Sequence, residues 1–212
     1  MNAITLLKAD HHTVEQLFDD ITSTKARSKK QSLIKKIIKE LSIHAAIEEQ
    51  VFYPAVRDAV HEAEAQVLEA LEEHHIVKWV LSELEKMSPD DERFDAKVKV
   101  LCETVTRHVK EEEGKLFKMA RETMNKKALD ELGRALEAAK KVAPTHPHPR
   151  APDAPPGNFV AGIGVGLVDR ARDAVARIAK GDGRAPRRGT AGRIKKNGAR
   201  KTGHPVSAAR SR

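Results

Sequence analysis

Six residues of metal-binding type in this sequence each sit where a helix would otherwise carry only apolar side chains. His11 falls in the series Ile4, Leu7, His11, Val14, Phe18, Ile21. His44 and Glu48 fall in Ile34, Ile37, Leu41, His44, Glu48, Val51, Ala55. His74 falls in Val67, Leu71, His74, Val77, Leu81, Leu84. His108 and Glu112 fall in Phe94, Val98, Leu101, Val105, His108, Glu112, Leu116, Met119. Steps of three and four keep residues on one helix face, so the six point inward together. Buried without partners, four imidazoles and two carboxylates would be prohibitively costly. A lone histidine in such a stripe is more often a hydrogen-bonded core residue, but four with two glutamates describe a metal pair. Imidazole with carboxylate and no thiolate favours iron or manganese, with zinc also admissible. In the simplest arrangement each ion takes two histidines, both glutamates are shared, and a bridging oxide or hydroxide leaves about one open position per octahedral ion.

Register separates these six from their neighbours. His12, His75, Glu49, Glu111 and Glu113 lie off the apolar series and are expected at solvated or outer positions. Tyr53 follows Glu48 by five residues. It either points its phenol at the site, as donor or ligand, or ends a helix half-buried. The set is also duplicated. Asp10-His11-His12-Thr13-Val14 is echoed by Glu73-His74-His75-Ile76-Val77, and His44-x-x-x-Glu48 by His108-x-x-x-Glu112. The separation is 33 residues from His11 to His44 and 34 from His74 to His108, as expected of a repeated helical hairpin. A ferritin-like di-iron oxidase would instead need two Glu-x-x-His units, whereas only Glu72-x-x-His75 occurs, off the series.

The elements that must position these groups are four long helices, over 2–24, 28–60, 61–87 and 88–124, and a shorter fifth over 125–142. Pro54 is expected to kink the second near its end. Ser88-Pro89-Asp90-Asp91 is read as the cap, first position and acidic first turn of the fourth. Helices of roughly 20–30 residues make a bundle about 30–45 Å long. The fold class is therefore all-α, an antiparallel up-down four-helix bundle over 1–142. A Pro-rich linker follows at 143–158, a short helix at 159–180, and a basic, largely disordered tail at 181–212. Charge marks the same boundary. Residues 1–143 hold 24 Lys/Arg against 27 Asp/Glu, while 144–212 hold 15 against 4 Asp, so the net +8 belongs to the C-terminal part. Arg187, Arg188, Lys195, Lys196, Arg200 and Lys201 are the centre of that polycation. It suits non-specific phosphate-backbone binding, or else simple solubilisation. The single cysteine, Cys102, excludes an internal disulfide. With no apolar run long enough to span a membrane and no leader pattern, a cytoplasmic protein is expected.

Asp10-His11, His44-x-x-x-Glu48, Glu73-His74 and His108-x-x-x-Glu112, in this order and spacing, resemble the hemerythrin-like HHE cation-binding family, in its bacterial His, His-x-x-x-Glu, His, His-x-x-x-Glu subgroup. The resemblance covers about residues 1–142. It implies a non-haem di-iron centre that binds or reacts with peroxide, oxygen or nitric oxide. Oxygen carriers of the family have a further histidine one turn after the third-helix ligand, where this chain has Lys78, and their second bridging carboxylate is an Asp five residues after its histidine, whereas Glu112 comes four residues after His108. The resemblance therefore implies catalase-like decomposition of a small oxidant such as hydrogen peroxide. The alternative is a non-enzymatic sensor or store for oxygen, nitric oxide or iron, associated with nucleic acid through its tail.

Overall fold

The computed structural model describes residues 1–152. The expected short helix at 159–180 and the basic tail, including Arg187, Arg188, Lys195, Lys196, Arg200 and Lys201, lie outside the described residues. Helix α1 (Ala3–Ser23) starts where the Asn2 side chain accepts the Thr5 N–H at 2.9 Å. It packs antiparallel on α2 (Arg27–Ile47). A wide five-residue π turn, Glu48–Phe52, carries α2 into α3 (Tyr53–Ala59). After a 3₁₀ turn at His61–Ala63 comes α4 (Glu64–Leu84), paired with α5 (Phe94–Glu111). A second π turn, Glu112–Leu116, leads into α6 (Phe117–Thr123). The last helix, α7 (Lys126–Lys140), is capped by Asn125, whose side chain accepts the Ala128 N–H. Thus α2–α3 and α5–α6 each form one long rod, and with α1 and α4 they make the four-helix bundle.

Two sequence expectations change. The fourth rod begins at Phe94, because Ser88–Arg93 closes into a turn: the Asp91 carboxylate accepts the Ser88 N–H and the Ser88 hydroxyl the Asp90 N–H. Such side-chain bonds compete with a helical start. Pro54 is also not the main irregularity of the second rod. Each π turn begins at a glutamate and closes with a bond from Tyr53 N–H to Glu48 C=O, or from Phe117 N–H to Glu112 C=O. The extra residue rotates everything after it by about 100°. Phe52, Phe117 and Ala120 therefore face inward, and Met119, expected there, is only partly buried.

Two apolar clusters fill the bundle. One holds Leu7, Ile47, Ala70 and Leu116 with the whole inner face of α7, including Leu132 and Leu136. The other holds Val14, Leu41, Val77 and Val105 with Phe18, Ile34 and Phe94. Each fully buried Leu, Ile or Phe contributes about 1.5–3 kcal/mol. The histidines lie between them, one layer across all four rods. Helix α7 docks so closely on the start of α1 that a Cβ at Gly133 would fall 2.3 Å from the Met1 carbonyl oxygen and 2.9 Å from the Ala3 nitrogen. Gly133→Ala should therefore cost about 1–3 kcal/mol and lower the melting temperature by about 3–10 °C. Gly114→Ala, with open space around it, should not lower it. Calorimetry on the two variants checks this. The Pro-rich stretch does not leave the bundle at once: Pro147 is buried and His146 pairs with Glu85 at the end of α4.

Candidate metal centre

All six register-selected residues are buried in one layer. Two sets of their ligand atoms each lie within 4.8 Å of one another: His11, His44, Glu48 and Glu112 form one set, and Glu48, His74 and His108 the other. Each hairpin thus supplies its own histidine pair, and Glu48 belongs to both sets. Glu112 belongs to the first alone, where the simplest reading of the sequence had it shared. The Nε2 atoms converge, His11 to His44 at 3.1 Å and His74 to His108 at 3.3 Å. Glu48 Oε2 lies 3.1 Å from His44 Nε2 and 3.4 Å from His74 Nε2. Glu112 Oε2 lies 3.3 Å from His11 Nε2. Both oxygens of Glu112 and Oε1 of Glu48 are buried without a hydrogen bond. Orphaned carboxylate oxygens facing a convergence of imidazole nitrogens fit metal cations.

The opposite ring nitrogens are held from outside, which the sequence reading only partly anticipated. His74 Nδ1 pairs with Glu49 Oε1 at 3.1 Å, and His108 Nδ1 with Glu73 Oε2 at 2.8 Å. His11 Nδ1 pairs with Glu113 Oε1 at 2.9 Å. Asp10 Oδ2 stands 3.9 Å from His44 Nδ1, the loosest of the four. A carboxylate on Nδ1 fixes the tautomer that leaves Nε2 as ligand. Each carboxylate in turn meets a cation: Lys78 on Glu49, Arg107 on Glu73, Lys8 on Glu113 and Lys140 on Asp10. The duplicated positions do matching work, since Glu49 and Glu113 each follow a layer glutamate, while Asp10 and Glu73 each precede a histidine. Lys78, noticed in the sequence for not being histidine, is a buried partner of Glu49 at 2.9 Å. His12 stays on the surface, and His75 accepts from the Trp79 indole.

Tyr53 is fully buried rather than half-buried, and its hydroxyl lies 3.3 Å from both Glu48 Oε2 and His74 Nε2. Burial, with Glu112 and Glu48 close by, pushes its pKa well above the usual phenol value, so it remains a protonated donor. The sequence did not reveal Phe117, whose ring stacks on His11 at 5.8 Å between centroids, or Phe52 against it. Their inward register exists only because of the π turns.

Burial alone would lower the imidazole pKa values, but the carboxylates outweigh it. Glu48, Asp10 and Glu112 hold His44 up at about 10, and Glu48 with Glu49 holds His74 at about 9. Burial would raise Glu48, yet the two histidines keep it well below its ordinary range. The sign for the chelated protein follows. The stabilisation from His44 and His74 is complete below about pH 6.5 and is lost as pH rises through about 9 to 10. That from Glu48 is present above about pH 4.5 and lost as pH falls. Melting curves in chelator should therefore fall between pH 6.5 and 10, and His44→Gln should flatten the fall. A melting temperature that rises over that interval would show the sign to be wrong.

The profile of the Hemerythrin HHE cation binding domain family matches residues 2–120. Over 140 residues the chain is 31% identical to a protein of Nostoc sp. named DNA nickase, covering 66% of this chain and 39% of that one, well under half of the relative's length. An uncharacterised hemerythrin-like protein of Schizosaccharomyces pombe is 27% identical over 168 residues, 79% of each chain. The crystal structure of a hemerythrin HHE cation-binding domain-containing protein from Mycobacterium kansasii superposes with a TM-score of 0.58 at 24% identity, over 66% of this chain and 86% of that one. That likeness is one of fold. Among the described residues no helix is long and apolar enough to cross a membrane.

Proposed function

The chain belongs to the hemerythrin HHE cation-binding domain family, and from that premise we propose that it holds two non-haem iron ions and decomposes a small oxidant, hydrogen peroxide first among them. His11, His44, Glu48 and Glu112 would hold one ion, and His74 and His108, with Glu48 between, the other. The observation that carries this is the pair of overlapping ligand sets sharing Glu48. Bound there, the ions would supply two-electron redox chemistry. The chain's own part is positioning and proton control. Carboxylates on Nδ1 fix the imidazoles of His11, His74 and His108, Asp10 stands farther off from His44, and the Tyr53 hydroxyl donates toward Glu48 Oε2. The apolar clusters close the layer at its two ends. Lys78, engaged with Glu49, stands where a carrier would have its extra histidine, which favours turnover over reversible storage.

The test is metal analysis of protein grown in iron-replete cells, followed by a peroxide assay. About two irons per chain with sustained oxygen evolution is the expected result. Iron with only a stoichiometric spectral change would favour a sensor or store, and zinc alone would overturn the iron assignment. The similarity to a protein named DNA nickase supports a second reading, nucleic-acid association through the C-terminal polycation. Under it, full-length chain binds duplex DNA with steep salt dependence, and chain ended at residue 142 does not.

A further inference from the structure

Each half of the centre has its own histidine pair, but the two halves differ in access. In α4, Lys78 lies one turn after His74, folds inward to Glu49 and is buried with it. The matching position in α1 is Glu15, which points to solvent and pairs with His12 at 3.5 Å. The cation serving the α1 half is instead Lys8, one turn before His11, where α4 has Leu71. The side chains of Glu113 and Lys8 are 27% and 42% exposed, against 5% and 9% for Glu49 and Lys78. Where a lysine stem fills the α4 side, the α1 side keeps a crevice of about 350 Å³ between α1 and α5. Its walls are apolar, from Val14, Phe18, Val105 and Val109, and His11 and Glu113 lie at its base. On the other side of the layer, the recess beside His108 and Glu112 measures about 20 Å³.

We propose that the α1–α5 crevice is the entrance to the centre, admitting small uncharged molecules to its His11 half, while the Lys78–Glu49 pair seals the His74 half. The inference rests on the metal reading above. A water occupies about 30 Å³ of liquid, so the crevice has room for several molecules of peroxide size, and the small recess has room for about one water. The crevice mouth carries Lys8 and His12 with Glu15, above apolar walls that disfavour a charged visitor. The shift of the cation from four residues after the histidine in α4 to three residues before it in α1 is the sequence change that leaves the crevice open.

The test follows entry of nitric oxide, as an uncharged probe, into the reduced, iron-loaded full chain by stopped flow. Thr106→Trp, at an exposed rim position, and Val109→Trp, on the wall, narrow the crevice without touching a ligand. Lys115→Trp covers the recess beside His108. Obstructing a passage slows arrival and departure together. Both crevice variants should therefore lower the association and dissociation rates by about tenfold or more, with the dissociation constant and iron content unchanged. Lys115→Trp should change neither rate. Iron-loaded variants that bind at the unmodified rate, or a slowing confined to Lys115→Trp, would overturn the entrance alone. A chain that takes up no iron, seen first in the metal analysis, would overturn the centre and the entrance with it.

Discussion

Protein carrying Glu48→Ala should emerge from iron-replete cells with less than about a tenth of the metal of the unmodified chain. Glu48 is the one residue common to both ligand sets, with Oε2 near His44 and His74 and Oε1 buried without a partner. Its removal takes a ligand from each ion and leaves two imidazoles without the carboxylate that faces them. Glu112→Ala strips only the set built on His11 and His44, so about half of the metal should remain. Glu49→Ala belongs one step lower. It removes the carboxylate from His74 Nδ1 and leaves Lys78 buried beside the vacated position, which should weaken affinity by about 10–100-fold. Glu113→Ala, at the more exposed pair, should cost least of the four. Metal content with circular dichroism on each variant gives the order, and equal loss across all four would show that the layer is not organised around Glu48.

Chelation should lower the melting temperature of the unmodified chain by at least about 8–16 °C. Each metal site filled at 1,000 times its dissociation constant stabilises the fold by about 4 kcal/mol, and a domain of this size moves about 2–4 °C per kcal/mol. The reason lies in where the site sits. The layer separates the two apolar clusters, so each rod crosses from one cluster to the other through polar side chains. Without cations, the layer is held by buried imidazole–carboxylate pairs and keeps the three orphaned oxygens of Glu48 and Glu112. Such pairs recover little of their desolvation cost. Scanning calorimetry with and without chelator measures the difference, and an unchanged melting temperature would place metal outside the folded core.

The bundle and its layer were legible in the sequence because a period of three and four is a direct record of a helix face. Choosing His11 over His12 and Glu48 over Glu49 needed nothing more. That same rule failed at Met119 and Phe117, since a π turn adds a residue that no composition signal announces. Neither Glu49 nor Glu113 could be placed from register alone. An off-face carboxylate is solvated on an isolated helix and reaches a histidine only when another rod lies alongside. The start of α5 was misplaced for a local reason: Ser88 and Asp91 suit a capped turn as well as a capped helix, and the bonds they make within Ser88–Asp91 decide it.

The two π turns also carry a history. Each begins at the layer glutamate, spans five residues and closes with the same bond five residues back, in rods whose remaining sequences have little in common. A helix gains such a turn by one inserted residue, and an insertion anywhere else would have rotated a different part of the rod. Two independent insertions at matching places are a poor account of this. A single insertion in an ancestral hairpin, copied when the hairpin was duplicated, explains both. The ancestral hairpin, with one histidine on its first helix and a His-x-x-x-Glu on its second, would have closed its layer only by pairing with another copy of itself.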